Sequence, residues 1–391
     1  MNLAILKPEV QEFISKNLKI EITKIILKGS PFEDIDSKEL ANQILAKKKS
    51  EKKLPTWFSS KNIYYSNKIS IEQTSSEITA AFKTKLVTGK SIIDITGGFG
   101  VDSFYFSKQF KKVIHCEINS ELSTIVKHNY QQLNAKNIET YAINGFDFLK
   151  ETNDTFDCIY VDPSRRSDVK GKVFLLKDCL PYIPPKIDFF FTKANQILIK
   201  VSPILDITNT INELKNVKSV HIVAVHNEVK ELLFLLEKNY AESTNIIAVN
   251  IGKSKTDEFS FEYQSKETSN FSEPLSYLYE PNSAILKSGG FHQISKKYNV
   301  HKLEENSHLY TSENFIDFPG RAFKIVDILS YDKKKLKKRF SKSKANITTR
   351  NFPKTVAQIR KEINIKDGGA DYLFFTTTAN KNLKVIICQK C

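Results

Sequence analysis

A glycine-rich turn near residue 95 is the first group of residues that could do chemistry. It reads Asp94-Ile95-Thr96-Gly97-Gly98-Phe99-Gly100. An apolar, strand-like run at 91–95 leads into it, and a helix is expected to begin near Val101. Glycines let a backbone turn sharply and approach a ligand, and a helix N-terminus offers free amides. A plain strand–helix turn shares these features, so a cofactor site needs further residues.

Two more polar residues follow the next two strand-like runs. Glu117 lies near the end of the run at 113–118, where an acidic side chain can bridge both hydroxyls of a ribose. Asn144 follows the run at 138–143 and could hydrogen-bond an adenine amino group. Asp147, one helical turn further on, is the alternative for that contact. Together with the glycine turn, these positions favour a nucleoside-containing cofactor.

The fourth polar group is Asp162-Pro163-Ser164-Arg165-Arg166, after the run at 156–161. Ligands of open α/β sheets bind at the carboxyl ends of the strands. The carboxylate of Asp162 and its backbone carbonyl could orient an amino group, and the arginines could grip phosphate or a base edge. An ordinary Asp-Pro turn with solvated arginines is the structural alternative.

The elements that must position these residues alternate between strand and helix. The strand-like runs are at 91–95, 113–118, 138–143, 156–161 and 196–201. Alternation of this kind predicts a doubly wound parallel sheet. The runs at 217–225 and 231–236 are joined by only five residues, so the last strand should be antiparallel. A dehydrogenase domain would normally keep that strand parallel.

Helices are expected before this sheet and a small α+β module after it. Apolar spacing predicts helices in residues 1 to about 46, followed by a basic linker or exposed edge at 47–53. Thr74 and Glu77 have the spacing of a capping box for a helix with an apolar face of Ile78, Phe82 and Leu86. The order from 321 onward is β-α-β-α-β-β. Its strands are expected at 321–329, 345–349, 372–376 and 383–388, and its helices at 333–340 and 355–363.

Composition limits the partners and the compartment. The formal net charge is +15, from 59 Lys and Arg against 44 Asp and Glu, which favours a polyanion such as nucleic acid. A lysine-rich proteome would give the same excess. No apolar run is long enough to cross a bilayer and no secretory signal is visible. The five cysteines form no even disulfide framework, which suits a reducing compartment, so we expect a cytoplasmic protein. We expect neither a membrane partner nor a bound metal.

Several motifs together resemble a group of bacterial class I S-adenosylmethionine (SAM) dependent methyltransferases. They lie at residues 72–80, 94–102, 162–166, 227–233, 280–281, 318–321 and 368–373. In that group the C-terminal part is a ferredoxin-like segment followed by a THUMP-like domain. The resemblance covers the chain from about residue 50 to the end.

The resemblance implies a Rossmann-like class I methyltransferase sheet with an antiparallel last strand. It implies helices at 1–70, a SAM-binding domain at 71–255, a ferredoxin-like segment at 256–320 and a THUMP-like, RNA-binding domain at 321–391. SAM would be held by Asp94, Thr96, Gly97, Gly98, Gly100, Glu117 and Asn144, and the catalytic residues would be Asp162, Pro163 and Arg165. The usual first glycine of the SAM loop is Thr96 here. We expect rRNA or tRNA as substrate and assume a monomer.

A base nitrogen is the expected methyl acceptor. Methylation of a pyrimidine carbon needs an exposed cysteine nucleophile with a base nearby. Cys158 lies inside a predicted buried strand and Cys179 late in a predicted helix, so neither fits. Two other functions stay open: a non-catalytic RNA-binding protein with a degenerate methyltransferase fold, and a nicotinamide-dependent oxidoreductase.

Basic residues are crowded into the small C-terminal module. They are Lys333, Lys334, Lys335, Lys337, Lys338, Arg339, Lys342 and Lys344, followed by Arg350, Lys354, Arg360 and Lys361. A charge run is often only a solvated face. Within a module that resembles an RNA-binding domain, it predicts phosphate contacts and steep salt dependence. Tyr331, Phe340 and Phe352 could stack on bases, although packing in the core is the expected use for at least two of them.

Overall fold

The computed structural model describes residues 1–66, 71–165 and 175–391, without the side chain of Arg165. Arg166 of the Asp162 motif lies outside the described residues. The chain forms two compact units. The first contains Met1–Ser219 and Glu231–Glu242, and the second contains Val220–Lys230 and Ser243–Cys391. No described helix combines the length and apolar character that a membrane crossing needs.

The first unit begins with helices, as the apolar spacing predicts. They are α1 (Pro8–Lys16), α2 (Ile22–Lys28), α3 (Ser37–Lys53) and α4 (Pro55–Ser59). Asp36 caps α3 by accepting hydrogen bonds from the amides of Lys38 and Glu39. The basic run at 47–53 is the end of α3 and not a linker, because it contains no helix-breaking residue and lysine favours helix. Pro55 then begins α4.

The next helix, α5 (Glu77–Thr84), differs from the sequence prediction in its cap and its buried face. Ser76 is the N-cap and shares a capping box with Thr79, so the predicted pair of Thr74 and Glu77 is wrong. The helix buries Glu77, Thr79, Ala80 and Lys83, whereas Ile78 is 42% exposed. Polar side chains can be buried when they have hydrogen-bond or ion-pair partners, and the polar side chains on this face have such partners. Apolar spacing alone therefore chose the wrong face.

Alternating strands and helices follow α5 along the chain. They are β1 (Ser91–Asp94), α6 (Val101–Phe106), β2 (Lys112–Cys116), α7 (Ser120–Gln132), β3 (Ile138–Tyr141), α8 (Gly145–Glu151), β4 (Phe156–Val161), the short pair β5 (Ser164–Arg165) and β6 (Cys179–Leu180), α9 (Ile187–Lys193), β7 (Ala194–Val201), α10 (Ile207–Glu213), β8 (Val217–Val225) and β9 (Glu228–Glu237). The strand order within the first unit is β9-β7-β4-β1-β2-β3, whereas most of β8 belongs to the second unit and β5 and β6 pair only with each other.

Strand direction distinguishes this sheet from that of a dehydrogenase. β7, β4, β1, β2 and β3 are parallel to one another. β9 runs antiparallel to β7, which confirms the predicted antiparallel closing strand. Its preceding turn is His226-Asn227, both with positive φ, as two-residue hairpins require. The fold is therefore the Rossmann-like methyltransferase sheet that was expected.

The second unit contains the ordered C-terminal elements. They are β10 (Asn245–Ile251), β11 (Thr256–Glu262), β12 (Tyr277–Pro281), α11 (Ser283–Ser288), α12 (Phe291–Tyr298), β13 (His301–Lys302), β14 (Tyr310–Ser312), β15 (Gly320–Ser330), α13 (Lys333–Phe340), β16 (Asn346–Arg350), α14 (Val356–Ile363), β17 (Asp371–Thr377) and β18 (Leu383–Lys390). One sheet has the order β13-β14-β12-β15-β18-β17-β16, with β16 and β17 parallel. The predicted β-α-β-α-β-β order is present, and Leu336 and Ile359 anchor its helices in the core.

Candidate active site

A cavity of about 780 Å³ opens in the first unit at the carboxyl ends of β1, β2 and β4. Its wall includes eight of the ten predicted site residues, namely Asp94, Thr96, Gly97, Gly98, Gly100, Glu117, Asn144 and Asp162. Pro163 is buried beside Asp162 and does not line the wall. The side chain of Arg165 is outside the described part of the chain. Strand order thus brings together residues that the sequence holds far apart.

The glycine turn is held close to the elements below it. The amide of Gly97 donates to the Cys116 carbonyl at 2.8 Å, which ties the turn to β2. A Cβ atom at Gly97 would lie 2.1 Å from the His115 ring, and Gly100 has φ +82°. Only glycine fits both requirements without strain. The turn is therefore fixed as the floor of the cavity.

Asp94 is a buried carboxyl at the start of this turn. Its Oδ1 accepts from the Thr96 amide at 3.0 Å, and its Oδ2 accepts from the Ser103 hydroxyl at 2.7 Å. Only 2% of the residue is exposed. Burial raises the pKa of Asp94 from 3.8 to about 7, and the nearby Asp102 and Asp162 raise it further against those hydrogen bonds. Such a carboxyl gains from a cationic ligand.

Glu117 presents a pre-oriented carboxylate to the cavity. Its Oε2 accepts from the amide of Gly98 at 2.9 Å and its Oε1 accepts from the amide of Asn119 at 2.8 Å. A carboxylate has about four lone-pair positions, so acceptor capacity remains on both oxygens. The next residue, Ile118, is 72% exposed and lines the cavity. The pair can hold a diol beside an apolar contact.

Asn144 lines the cavity and also caps a helix. Its Oδ1 accepts from the amide of Phe146 at 2.9 Å at the start of α8. The side-chain NH₂ keeps its two donors. Asp147 pairs with Lys150 at 3.3 Å and is not among the lining residues. The geometry favours Asn144 over Asp147 for a ligand contact. Asn144 would act mainly as a hydrogen-bond donor, because its side-chain oxygen already accepts from Phe146.

Asp162 is held from two sides. Its amide donates to the Thr96 hydroxyl at 2.7 Å, so Thr96 links the glycine turn to the end of β4. Its Oδ2 accepts a hydrogen bond from the ammonium of Lys200. Val161 pairs with Ile199 in the parallel register of β4 and β7, which places Asp162 and Lys200 next along neighbouring strands. Lys200 was not predicted from the sequence, although a lysine inside an apolar strand is a signal of a buried, partnered charge.

A second lysine, Lys83 of α5, is fully buried close to this site. Its ammonium lies 3.0 Å from Asp102 and 2.8 Å from Glu231 of β9. Asp102 also accepts from the hydroxyls of Ser75 at 2.7 Å and Tyr160 at 2.8 Å. Lys83 and Glu231 were not predicted from the sequence either. Buried charges require partners, and here each of these charges has one.

The cysteines near the site are unsuited to nucleophilic attack. Cys116 lines the cavity, and burial raises the pKa of its thiol. Cys158 is buried within β4, and its thiol pKa is raised for the same reason. Reactive cysteines have lowered pKa values. Among the described residues, no group of three or more His, Cys, Asp or Glu side chains could hold a metal ion.

The second unit carries a basic helix. All the basic side chains of α13 are exposed, while its Leu336 and Phe340 are buried. Phe340, Tyr331 and Phe352 pack in the same apolar cluster, with the rings of Tyr331 and Phe352 5.2 Å apart. These aromatic residues belong to the core and are not a stacking surface. The charge of α13 is available to a partner of this unit.

Two known domain families match the C-terminal part of the chain. Residues 277–319 match a ferredoxin-like domain, and residues 320–390 match a THUMP domain-like family model. The chain ends in a ferredoxin-like and a THUMP-like domain. The C-terminal resemblance is thereby confirmed. No curated protein matches the sequence.

Among solved structures, a candidate methyltransferase from Porphyromonas gingivalis W83 is similar over nearly the full length. It covers 99% of this chain and 98% of its own, with 28% identity and a TM-score of 0.87. An rRNA methylase from Streptococcus thermophilus covers 41% of this chain and 94% of its own, with 14% identity and a TM-score of 0.31. A candidate methyltransferase from Streptococcus mutans in complex with SAH covers 41% and 96%, with 16% identity and a TM-score of 0.31.

Proposed function

We propose that the protein is a SAM-dependent methyltransferase that acts on RNA, either rRNA or tRNA. The observation that carries this is the convergence of Asp94, the glycine turn, Glu117 and Asp162 on one cavity of about 780 Å³. The similarity to a candidate methyltransferase over 99% of the chain supports it. When bound, SAM would supply an activated methyl group on its sulfonium.

Each wall of the cavity suits one part of SAM. Glu117 would accept hydrogen bonds from the two ribose hydroxyls, and Ile118 would pack on the adenine. Asn144 would contact the edge of the adenine through its side-chain NH₂. Asp94 would accept from the amino group of the methionine part, and the turn at Gly98 would leave room for its backbone. Asp162 then lies where a methyl acceptor can approach.

RNA as the substrate rests on the C-terminal unit. THUMP-type modules present RNA to methyltransferase domains, and this chain carries a THUMP-like domain at residues 320–390. Its helix α13 exposes six basic side chains, which suits phosphate contacts. The net charge of +15 is consistent with a polyanionic partner. We further propose that the protein is a monomer. It would act in the cytoplasm, where rRNA and tRNA are found.

The acceptor atom depends on Asp162, with Pro163 and Arg165 beside it. The sequence predicts a base nitrogen, since a carboxylate and the carbonyl before a proline can orient an amino group. A ribose hydroxyl is the second candidate, and the ammonium of Lys200 on Asp162 favours it. Both acceptors react by in-line attack, for which positioning supplies much of the rate.

Calorimetry followed by methyl transfer tests this function. The purified chain is titrated with SAM and, separately, with NAD, and is then incubated with methyl-labelled SAM and RNA from a strain that lacks the gene. We expect SAM binding and label in RNA. Binding of SAM without label in any RNA would favour a non-catalytic RNA-binding protein. Binding of NAD in place of SAM would favour an oxidoreductase, which the antiparallel β9 already disfavours.

A further inference from the structure

Lys200 is a charged group that the proposed cofactor contacts do not use. Its ammonium donates to Oδ2 of Asp162, and only 15% of its side chain is exposed. Asp162 lines the cavity, so this ammonium lies one hydrogen bond behind the wall at the acceptor end. A lysine held so deeply costs desolvation unless charged partners stabilise it. Its partners therefore decide its charge.

Three carboxylates act on the charge of Lys200, and one of them, Asp162, contacts it directly. Asp162, Glu231 and Asp102 raise the pKa of its ammonium above the ordinary value, against the opposing effect of burial. Lys83 binds Asp102 at 3.0 Å and Glu231 at 2.8 Å, so those two carboxylates are shared between the two lysines. Asp162 and Asp102 both line the cavity, and Asp162 is the one that accepts the hydrogen bond from Lys200. Lys200 thus remains a fixed positive charge beside the acceptor position.

A fixed positive charge distinguishes between the two candidate acceptors. An amino nitrogen that attacks a sulfonium methyl gains positive charge, which a nearby ammonium disfavours. A hydroxyl oxygen gains negative charge as its proton leaves, and the same ammonium stabilises it. Asp162 can take that proton because its Oδ1 is not the atom bound by Lys200.

We propose, on the basis of the methyltransferase function above, that the acceptor is a ribose hydroxyl of RNA and that Lys200 is the positioning residue for it. Lys200 holds the carboxylate of Asp162 in place and provides the positive charge next to the reacting oxygen. The ion pair between Lys83 and Glu231 keeps the carboxylate of Glu231 in place near Lys200.

The reaction balances with groups that are on the protein or supplied by SAM. The hydroxyl proton passes to the Asp162 carboxylate as the oxygen bonds to the methyl carbon. The bond from that carbon to sulfur breaks, and its electron pair stays on sulfur as a neutral thioether. The products are a ribose methyl ether and a protonated Asp162, which returns its proton to water.

The position of the methyl group tests the inference. RNA from a strain that lacks the gene is labelled by the purified full chain, digested to nucleosides and analysed by mass spectrometry. We expect the methyl group on the ribose fragment, and resistance of the modified linkage to alkali. A methyl group on the base would overturn the inference but leave the proposed function intact. SAM binding with no label in any RNA would overturn both.

Substitutions of Lys200 test its part separately. Lys200→Met should lower kcat by about a hundredfold, as for loss of one charge-stabilising donor, while Kd for SAM stays within about twofold. Lys200→Arg keeps the positive charge and should restore most of the rate. Lys193→Met, at the last residue of α9 just before β7, is the matched control with unchanged activity. Full activity of a folded, SAM-binding Lys200→Met chain would overturn the inference.

Discussion

Asp94 shows how burial can tune one residue for a cationic ligand. Its pKa of about 7 arises because the carboxyl is buried and lies near Asp102 and Asp162. The hydrogen bonds from Ser103 and Thr96 offset only part of this. A positive charge bound in the cavity would therefore stabilise the ionised form of Asp94. Ligand binding at this site should therefore be coupled to proton release.

The affinity for SAM should rise as pH rises from about 5.5 to 7, on the order of tenfold. A bound ammonium favours ionised Asp94, whose pKa is about 7 in the free protein. This range lies below the titration of an α-amino group, near pKa 7.7 to 8.0. Calorimetry in two buffers of different ionisation enthalpy measures Kd and the proton released. Asp94→Asn should bind more weakly and lose this pH dependence; a wild-type Kd that is constant over the range would contradict the assignment.

Without SAM, the Asp94 carboxyl should stabilise the fold in its protonated form, whereas SAM binding favours its ionised form. Its folded pKa lies above the unfolded value of 3.8, so protonated Asp94 stabilises the fold. That contribution is complete below about pH 4 and is lost as pH rises through about 7. Urea unfolding of the wild type and Asp94→Asn should show a difference in unfolding free energy that changes over this range. Parallel pH profiles for the two chains would argue against it.

Glu117→Gln should weaken SAM binding by about ten- to a hundredfold. Charge-assisted hydrogen bonds contribute roughly 1.5–3 kcal/mol, and the amide carries no charge for the two ribose hydroxyls. The hydrogen bonds from Gly98 and Asn119 would also lose strength. Calorimetry measures the change, with Glu139→Gln on the exposed side of β3 as control. Equal affinities for the two variants would remove Glu117 from the site.

At the scale of elements, α5 is built around charges and not around an apolar face. Glu77 accepts from the amide of Thr56 at 2.6 Å and from the Tyr105 hydroxyl at 2.6 Å, so it joins α4, α5 and α6. Lys83 joins the same helix to Asp102 and to Glu231 of β9. The segment at 72–80 that carries part of the family resemblance thus lines the cavity with Gln73, Thr74 and Ser75 and then begins α5.

Lys83→Met should lower the free energy of unfolding by about 3–5 kcal/mol. Removing one partner of a buried ion pair leaves uncompensated charges, here on Asp102 and Glu231. Urea unfolding followed by circular dichroism measures the loss. Lys85→Met, on the exposed side just after α5, is the matched control and should change stability by less than about 0.5 kcal/mol. Similar values for both variants would show that Lys83 is not a structural partner.

At the scale of the whole molecule, the basic helix α13 and the cavity belong to different units. The cavity is formed within the first unit, whereas α13 lies in the THUMP-like domain of the second. The net charge of +15 is therefore expected to act in RNA affinity more than in the chemical step. This separation allows the two functions to be tested apart.

Substitution of four lysines of α13 by glutamine should weaken RNA binding and its salt dependence. The positions are Lys333, Lys334, Lys337 and Lys338, all exposed. Each phosphate contact contributes about 0.7 to the slope of log K against log salt for single strands, so the slope should fall by up to about 3. Filter binding at several salt concentrations measures it. The control replaces Lys16, Lys19, Lys24 and Lys28, also exposed. Equal slopes for the two variants would exclude α13 as the contact, and SAM affinity should be unchanged in both.

The sequence by itself determined the order and most of the bounds of the elements. Apolar runs predicted the strands at 156–161 and 217–225, and the spacing of Leu336 and Phe340 suits the helix at 333–340; all three have these bounds in the structure. The glycine turn, Glu117, Asn144 and Asp162 were found because each follows a predicted strand, and parallel strands end at one edge of a sheet. These are local patterns, and local patterns can be read along the chain.

Only the tertiary structure decided which charges meet. Lys200 reaches Asp162 because β4 and β7 are neighbours in register, and Lys83 reaches Glu231 because α5 packs near β9. The burial energy of a charge depends on its partners, and partners distant in sequence leave no local periodicity. For the same reason, apolar spacing chose the wrong face of α5. The residues that line the cavity could thus be predicted from sequence order, whereas the charged groups behind Asp162 required the fold.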